Sequence, residues 1–376
     1  MGPNQVGFGS NFRIFITGAF WITGYINNSA LGFYLLLLRK NIAENALVKN
    51  SGIYLLFALI SGLINFLVLP ILSHLLTVED IGILGMFSII NQLLTPIIGL
   101  SMNAIIAKSY YSRDDINSLV GSSQIFSCLI FCIILLIALM LPSGFTERWG
   151  INQYTLVSTC VIAFIGINNA VLLAIFQLEK KPFYWGISIM SSLIINLSVT
   201  FFILFNVQMN YWARIFGFLI SSITTLLLNL YFTNKLLLIQ YSLNISHFRY
   251  FVRLGSPLII VAICNWGLYA LDRIFIQSFI GIQAVGYYTM AFALASPLKI
   301  ISESFSRAWL PHAYLHIKEK QQRKLFHQSI LIFGAFVCMG LILATVGKSV
   351  LSYLIDEKFS FSFQIMPILV AGFVIN

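Results

Sequence analysis

Ten long apolar runs, each bracketed by polar loops, constrain this chain more than anything else in it. They lie at Ser51–Leu76, Gly82–Ala107, Ile125–Leu141, Tyr154–Phe176, Phe183–Phe205, Ile215–Phe232, Ser256–Ile280, Ala284–Ala308 and Ile330–Val346, with a last one opening near Phe361. A helix needs about 20 apolar residues to cross a bilayer, and each run meets or approaches that length. The runs are apolar on every face, whereas the strands of a membrane barrel would be short and alternating. In hydrocarbon every backbone N–H and C=O must be satisfied inside the segment, so these are helices. The expected fold is an all-α polytopic membrane protein with about ten transmembrane helices. Composition closes the other routes. The chain is 59% hydrophobic and 9% charged, where a soluble domain carries about 25% charged residues. That excludes a soluble enzyme, a disordered chain, a secreted disulfide scaffold and a fibrous repeat. The cysteines, Cys128, Cys132, Cys160, Cys264 and Cys338, all sit inside apolar runs and read as small hydrophobes rather than disulfide or metal ligands.

A net charge of +10 could suggest nucleic acid, but no contiguous basic domain exists; the cations sit at the ends of apolar runs. With the start of the first run inside, the inner loops hold 14 Lys and Arg and the outer loops 4, namely Arg148, Arg214, Lys348 and Lys358. Such a bias over short loops sets orientation by the positive-inside rule. The longest outer loop, Pro142–Gln153, leaves no room for an inserted soluble domain. Membrane glycosyltransferases and polymerases commonly carry a large outer loop, so its absence argues against an enzyme. There is no phosphate-binding loop, and no cofactor or metal is expected.

Residues 1–48 precede the regular pattern. Ile14–Leu38 is only moderately apolar and is interrupted by Gly18, Gly24, Asn27, Asn28 and Ser29; a peripheral or non-native extension is the favoured reading. At the other end the apolar run Ile365–Ile375 stops at Asn376 without polar flanks, as an unfinished element would. Between the ends the chain repeats. A shift of 204 residues lays the first two spans on the seventh and eighth: Val48-Lys49 on Val252-Arg253, Gly82 on Gly286, Met86 on Met290, Ala104 on Ala308 and Tyr110 on Tyr314. Repeated halves are how many transporters build and alternate a central cavity. The expected organisation is an N-terminal extension over 1–48, a six-helix bundle over 49–240 and a truncated second bundle over 241–376.

Ionisable groups within spans are costly and mark function by default. The first six spans hold almost none. The second half holds Asp272 and Arg273 in the seventh, then Lys299, Glu303 and Arg307 in the eighth. The last three share one helix face. At 1.5 Å per residue, Asp272 lies about 24 Å from the cytoplasmic start of its run, and Lys299 about 22 Å from the outer end of its own. A cationic stripe low in the membrane suits an anionic headgroup, such as a diphosphate, entering from inside. The blander readings are that Arg307 snorkels to the interface and that Asp272 and Arg273 form a structural pair. Asn65, Asn91, Gln92, Asn103, Asn168, Asn169 and Asn196 could bond sugars, or glue helices together. Pro70, Pro96, Pro257 and Pro297 lie in or at the mouths of the repeated spans, where broken helices open backbone to a cavity. His312 and His316 fall in a Lys- and Arg-rich loop and read as a solvated face.

Three sets of residues carry a resemblance. Leu69-Pro70-Ile71-Leu72 precedes Thr77-Val78-Glu79-Asp80-Ile81-Gly82; Ser109-Tyr110-Tyr111 follows on the cytoplasmic side; Gly255-Ser256-Pro257, Asp272-Arg273-Ile274-Phe275-Ile276 and Val285-Gly286-Tyr287-Tyr288 come in that order in the second half. Over about residues 48–376 the chain resembles the polysaccharide biosynthesis proteins and O-antigen flippases of the multidrug/oligosaccharidyl-lipid/polysaccharide exporter (MOP) superfamily. The resemblance implies two pseudo-symmetric six-helix bundles in a V, twelve helices in the family pattern. It implies a transporter, or flippase, that moves undecaprenyl-diphosphate-linked oligosaccharide units across the bacterial inner membrane for O-antigen, capsule or exopolysaccharide synthesis. The partners it implies are that lipid-linked oligosaccharide, the bilayer itself, and the polysaccharide polymerase and chain-length machinery. No basic residue stands in the first and second spans, where some relatives place phosphate-binding arginines. The substrate-binding candidates are therefore Lys299, Arg307, Arg273, Asn91 and Asn65, and the ion-coupling candidates Glu303 and Asp272. The competing expectations are a drug/cation antiporter, which would want carboxylates in the first half, and an inactive truncated copy.

Overall fold

In a computed structural model the backbone is described for residues 30–207, 210–318 and 321–375. Side chains are described from Gly52 onward, except at 143, 145, 208, 209, 303, 304, 306–308, 310–320, 322 and 376. The expectation for residues 1–48 therefore lies largely outside the described residues. The chain divides into two compact units, Met1–Leu56 and Phe57–Asn376. The helices are α1 Ala30–Leu75, α2 Val78–Ile98, α3 Met102–Ser109, α4 Ile116–Met140, α5 Ser143–Arg148, α6 Gln153–Leu178, α7 Pro182–Asn206 and α8 Trp212–Asn234. They are followed by α9 Ile245–Phe279, α10 Ile282–Lys318, α11 Gln322–Ile342, α12 Lys348–Leu354 and α13 Ser362–Ile375. A π-helical turn, Leu343–Gly347, joins α11 to α12. Among the described residues nine helices are long and apolar enough to cross a membrane, with Ser362–Ile375 a shorter apolar one. The all-α, many-spanning fold expected from the apolar runs is what forms.

Local chemistry sets the helix ends. Thr77 caps α2: its hydroxyl accepts from the Asp80 amide at 3.1 Å, while the Asp80 carboxylate accepts from the Thr77 amide at 3.0 Å. This reciprocal box satisfies orphan amides of the first turn. Asn152 caps α6 through the Thr155 amide at 2.8 Å, and Asn244 caps α9 through the Ser246 amide at 2.9 Å. Pro182 occupies the first turn of α7, where its missing N–H costs nothing.

The structure departs from the sequence reading in three places. The second apolar run is broken: α2 ends at Ile98, and Leu100 (φ 43°) and Ser101 (φ 52°) adopt left-handed backbone before α3. Neither is Gly, so the joint is strained. The outer loop Pro142–Gln153 contains the short helix α5. Finally, α10 runs unbroken to Lys318, so His312 and His316 lie on a helix rather than in a loop; their side chains are outside the described residues.

Small residues let the helices approach. A Cβ on Gly217 would fall 2.8 Å from the Asn196 carbonyl, which places α8 hard against α7. Polar pairs hold the same region: Asn229 donates to the Asn169 Oδ1 at 2.9 Å and Asn169 to the Ser222 carbonyl at 3.1 Å, joining α8 and α6. Ser188 of α7 donates to the Asn229 Oδ1 at 2.5 Å. Asn168 bonds Ser127 of α4 and the Phe164 carbonyl. Asn168 and Asn169 are therefore helix glue, as polar residues in spans often are. One apolar core joins Val68 and Leu72 of α1, and Leu76 just after it, to Met290, Leu294 and Leu298 of α10 and to Phe363, Met366 and Phe373 of α13. A second joins α3, α4 and α6 to Phe251 of α9.

Candidate functional site: a cationic cavity under a glycine crossing

The repeat seen in the sequence meets itself in space. A Cβ on Gly82 of α2 would fall 2.2 Å from the Ile282 carbonyl, and one on Gly286 of α10 2.0 Å from the Val78 carbonyl. The same 204-residue shift relates Val78 to Ile282 and Gly82 to Gly286. The contact is reciprocal, as across a two-fold axis. One turn deeper, a Cβ on Gly85 would strike the Thr289 hydroxyl, again a pair of positions related by the shift. Only residues without a Cβ allow two backbones this close. By the positive-inside count the crossing lies at the outer ends of both helices. Asp80, 5% exposed, braces it by accepting from the Tyr211 amide at 3.3 Å as well as capping α2.

Directly beneath lies a cavity of about 400 Å³. Its wall includes Ser88 and Asn91 of α2, Arg214 and Phe218 of α8, Arg273 of α9 and Thr289 of α10. Arg273 is 7% exposed. Its Nη1 donates to the Tyr269 carbonyl at 3.1 Å, and its guanidinium lies 4.6 Å from the Phe292 ring centroid. Among the described residues its Nε has no hydrogen-bond partner, nor have the buried Asn91 Oδ1 and Thr289 Oγ1. Arg214 donates to the Asn196 Oδ1 at 2.6 Å and lies 4.8 Å over the Phe218 ring. Arg214 was assigned by sequence to the outer loop. It is instead in the first turn of α8 with its head in the cavity, because α8 begins at Trp212 rather than Ile215.

Of the residues singled out by sequence, Arg273 and Asn91 meet in this cavity. Asn65 does not: it is exposed, and its amide donates to the Ser61 carbonyl of its own helix at 2.9 Å. Asp272 points elsewhere, accepting from the Tyr288 hydroxyl and from the Arg273 amide. Lys299 is half-buried, with its ammonium 3.9 Å from the Tyr269 centroid and 5.4 Å from that of Phe292. The Phe292 ring is thus shared by Lys299 and Arg273, each within cation–π reach of it. Glu303 and Arg307 lie on the α10 backbone, but their side chains are outside the described residues. Arg214 and Thr289 were missed. The repeat could have flagged Thr289, since it stands opposite Gly85; nothing in the sequence marked Arg214 beyond its nearness to a span. No cluster of His, Cys, Asp or Glu suited to a metal occurs among the described residues.

Two helices thus cross at glycines near the outer face, above a cavity whose wall carries two arginines. The fold agrees with that of a multidrug resistance MATE family transporter of the MOP superfamily solved in an inward-facing conformation: TM-score 0.63 at 15% identity, over 84% of this chain and 81% of that one. The Vibrio cholerae MATE transporter VcmN aligns with a TM-score of 0.53 at 13% identity, over 87% and 78%. A protein of the Lsg locus of Haemophilus influenzae is 25% identical over 325 residues, covering 83% of this chain and 77% of that protein. Residues 47–313 match the polysaccharide biosynthesis protein family. The chain belongs to that family and is a multi-pass membrane protein.

Proposed function

We propose that this protein is a flippase carrying undecaprenyl-diphosphate-linked oligosaccharide from the cytoplasmic to the outer leaflet of the bacterial inner membrane by alternating access. The observation that carries the reading is that two guanidiniums, Arg214 and Arg273, face one cavity with no carboxylate among the described residues that line it. Such a wall favours an anion and disfavours a cationic drug. Arginine suits phosphate oxygens because its planar fork bonds two at once. The unpartnered Asn91 and Thr289 oxygens would accept from sugar hydroxyls, so cavity chemistry matches a phosphorylated glycan better than a bare anion. Lys299 would receive the headgroup nearer the cytoplasm, about 26 Å below the outer start of α10, and Arg273 and Arg214 would hold it about 9 and 3 Å from the outer ends of their helices. Arg307 would belong to the entry side of this route. Asp272, tied to Tyr288 and adjacent to Arg273, and Glu303, one turn from Lys299, would carry the coupling proton. Halves dividing near residue 240 would rock about the cavity, with polymerase and chain-length proteins taking the product.

The test is glycan display in a strain lacking its own flippase, together with binding of polyprenyl diphosphate to the purified protein. Removing a buried hydrogen bond to a charged group costs about 1.5–3 kcal/mol, or about 12- to 150-fold in affinity. Arg273→Ala and Arg214→Ala should each weaken polyprenyl diphosphate binding by that factor and reduce display. Wild-type binding by both variants would remove the site assignment. Saturable binding of an organic cation in its place would favour the antiporter.

A further inference from the structure

The cavity leaves one buried titratable group unexplained, at the opposite face of the membrane. His247, in the first turn of α9, has a side chain only 3% exposed. Its Nε2 lies 2.9 Å from the Asp115 Oδ2 and its Nδ1 2.8 Å from the Ser122 Oγ. Asp115 is the residue before α4, and Ser122 lies two turns into that helix. The Ser122 hydroxyl donates to the Ser242 carbonyl at 2.7 Å, in the segment that enters α9. Its proton is thereby committed, and it can only accept from the ring. A carboxylate can also only accept. Both ring nitrogens therefore face acceptors, and only the doubly protonated imidazolium fills both bonds. A neutral ring must give one up, or pull the Ser122 proton from Ser242.

We propose that the Asp115–His247–Ser122 relay is a pH-sensitive cytoplasmic latch that fastens the α8–α9 linker and the first turn of α9 to α4 when His247 is protonated. Two further titratable groups, Arg113 and Tyr250, contact the relay or its anchor. On the α4 side Arg113 grips the same Asp115 through two bonds, of 2.7 and 2.6 Å. On the α9 side Tyr250 lies under Arg113, with 4.7 Å between guanidinium and ring centroid, and its hydroxyl is 2.8 Å from the Ser109 Oγ of α3. Two features keep the latch reversible. Arg113 already neutralises Asp115, so the imidazolium adds less than it would to a lone carboxylate. An imidazolium in a first helical turn also opposes the positive end of the helix dipole. The latched form, being the protonated one, is favoured as pH falls and lost as it rises. The same helix carries Arg273 near its far end, so release at the cytoplasmic face frees the element that bears the cavity's cation.

Spin labels at exposed Asp114 and Leu243, in full-length protein with its native cysteines replaced by serine and reconstituted in vesicles, read the latch as a distance. The expected result is a short, narrow distribution at pH 5.5 that gives way to a longer, broader one at pH 8.5. His247→Gln, which keeps hydrogen bonding but cannot become charged, should show the broad distribution at both values. A second pair of labels within α4 should not move and would report any loss of folding. A wild-type distribution unchanged between the two values, or a His247→Gln protein that keeps the wild-type response, would overturn the proposal.

Discussion

Adding one methyl group at Gly286 tests the central geometry directly. The Cβ of Gly286→Ala would stand 2.0 Å from the Val78 carbonyl oxygen and 2.9 Å from the carbonyl carbon. Backbone cannot rotate away as a side-chain tip can, so α2 and α10 must separate by about 1 Å at this point. Overpacking of this kind costs about 1–3 kcal/mol. The cost falls only on the state in which the outer crossing is closed. The closed-to-open balance should then shift by about 5- to 150-fold, since 1.4 kcal/mol is tenfold. A single cysteine at Ser88, in the cavity wall, reports this balance through its rate of modification by a membrane-impermeant thiol reagent added from outside. Gly286→Ala should raise that rate. Gly82→Ala should raise it comparably, because its Cβ meets the Ile282 carbonyl in the mirror-image contact, at 2.2 Å. The double variant should fall short of the summed effects, as the two share one contact. Gly166→Ala, with nothing within 4 Å of its Cβ, is the control. A Ser88→Cys rate unchanged by both crossing variants in correctly inserted protein would refute the idea that this contact seals the outer side.

Three other outcomes follow from described contacts. Thr77→Ala removes the cap of α2 and should cost about 1 kcal/mol, read as a lower melting temperature in detergent, with Thr77→Ser close to wild type. Asn229→Ala strands Ser188 and Asn169 and should cost about 1–2 kcal/mol by the same assay; an unchanged melting temperature would mean these bonds add nothing. Bonds from Arg113, opposed by partial burial and assisted by His247, hold the Asp115 carboxyl well below the usual carboxylate range. A carboxyl so lowered stabilises the fold above its ordinary value near pH 4 and loses that contribution as pH falls. Asp115→Asn should therefore be less stable than wild type at pH 7, and the two should converge as the medium is acidified below about pH 4.

The helices were legible because the bilayer allows so few solutions. Runs such as Phe183–Phe205 have only one way to satisfy their backbone. What fell outside sequence reasoning was governed by direction rather than composition. Arg214 is two residues past a short turn, and its assignment depended on a boundary error of three residues. Asn65 and Asn91 look alike as letters within spans, yet one faces outward and one the cavity, because helical phase is hard to fix when all faces are apolar. Gly82 and Gly286 were visible as matched positions, but that each meets the other's helix is a property of the folded chain. Leu100 and Ser101 gave no warning of a break, since neither is the Gly or Pro that usually marks one.

That break sets the two repeats apart. The positions corresponding to Leu100 and Ser101 in the second repeat fall within continuous α10. The first repeat therefore has an elbow, held where a Cβ on Gly255 would fall 2.4 Å from the Leu100 carbonyl, while its counterpart is a stiff rod some 37 residues long. Motion at the outer end of the rod has to reappear at its inner end, whereas the jointed helix can absorb it midway. Two related sequences thus give one arm that transmits displacement and one that damps it.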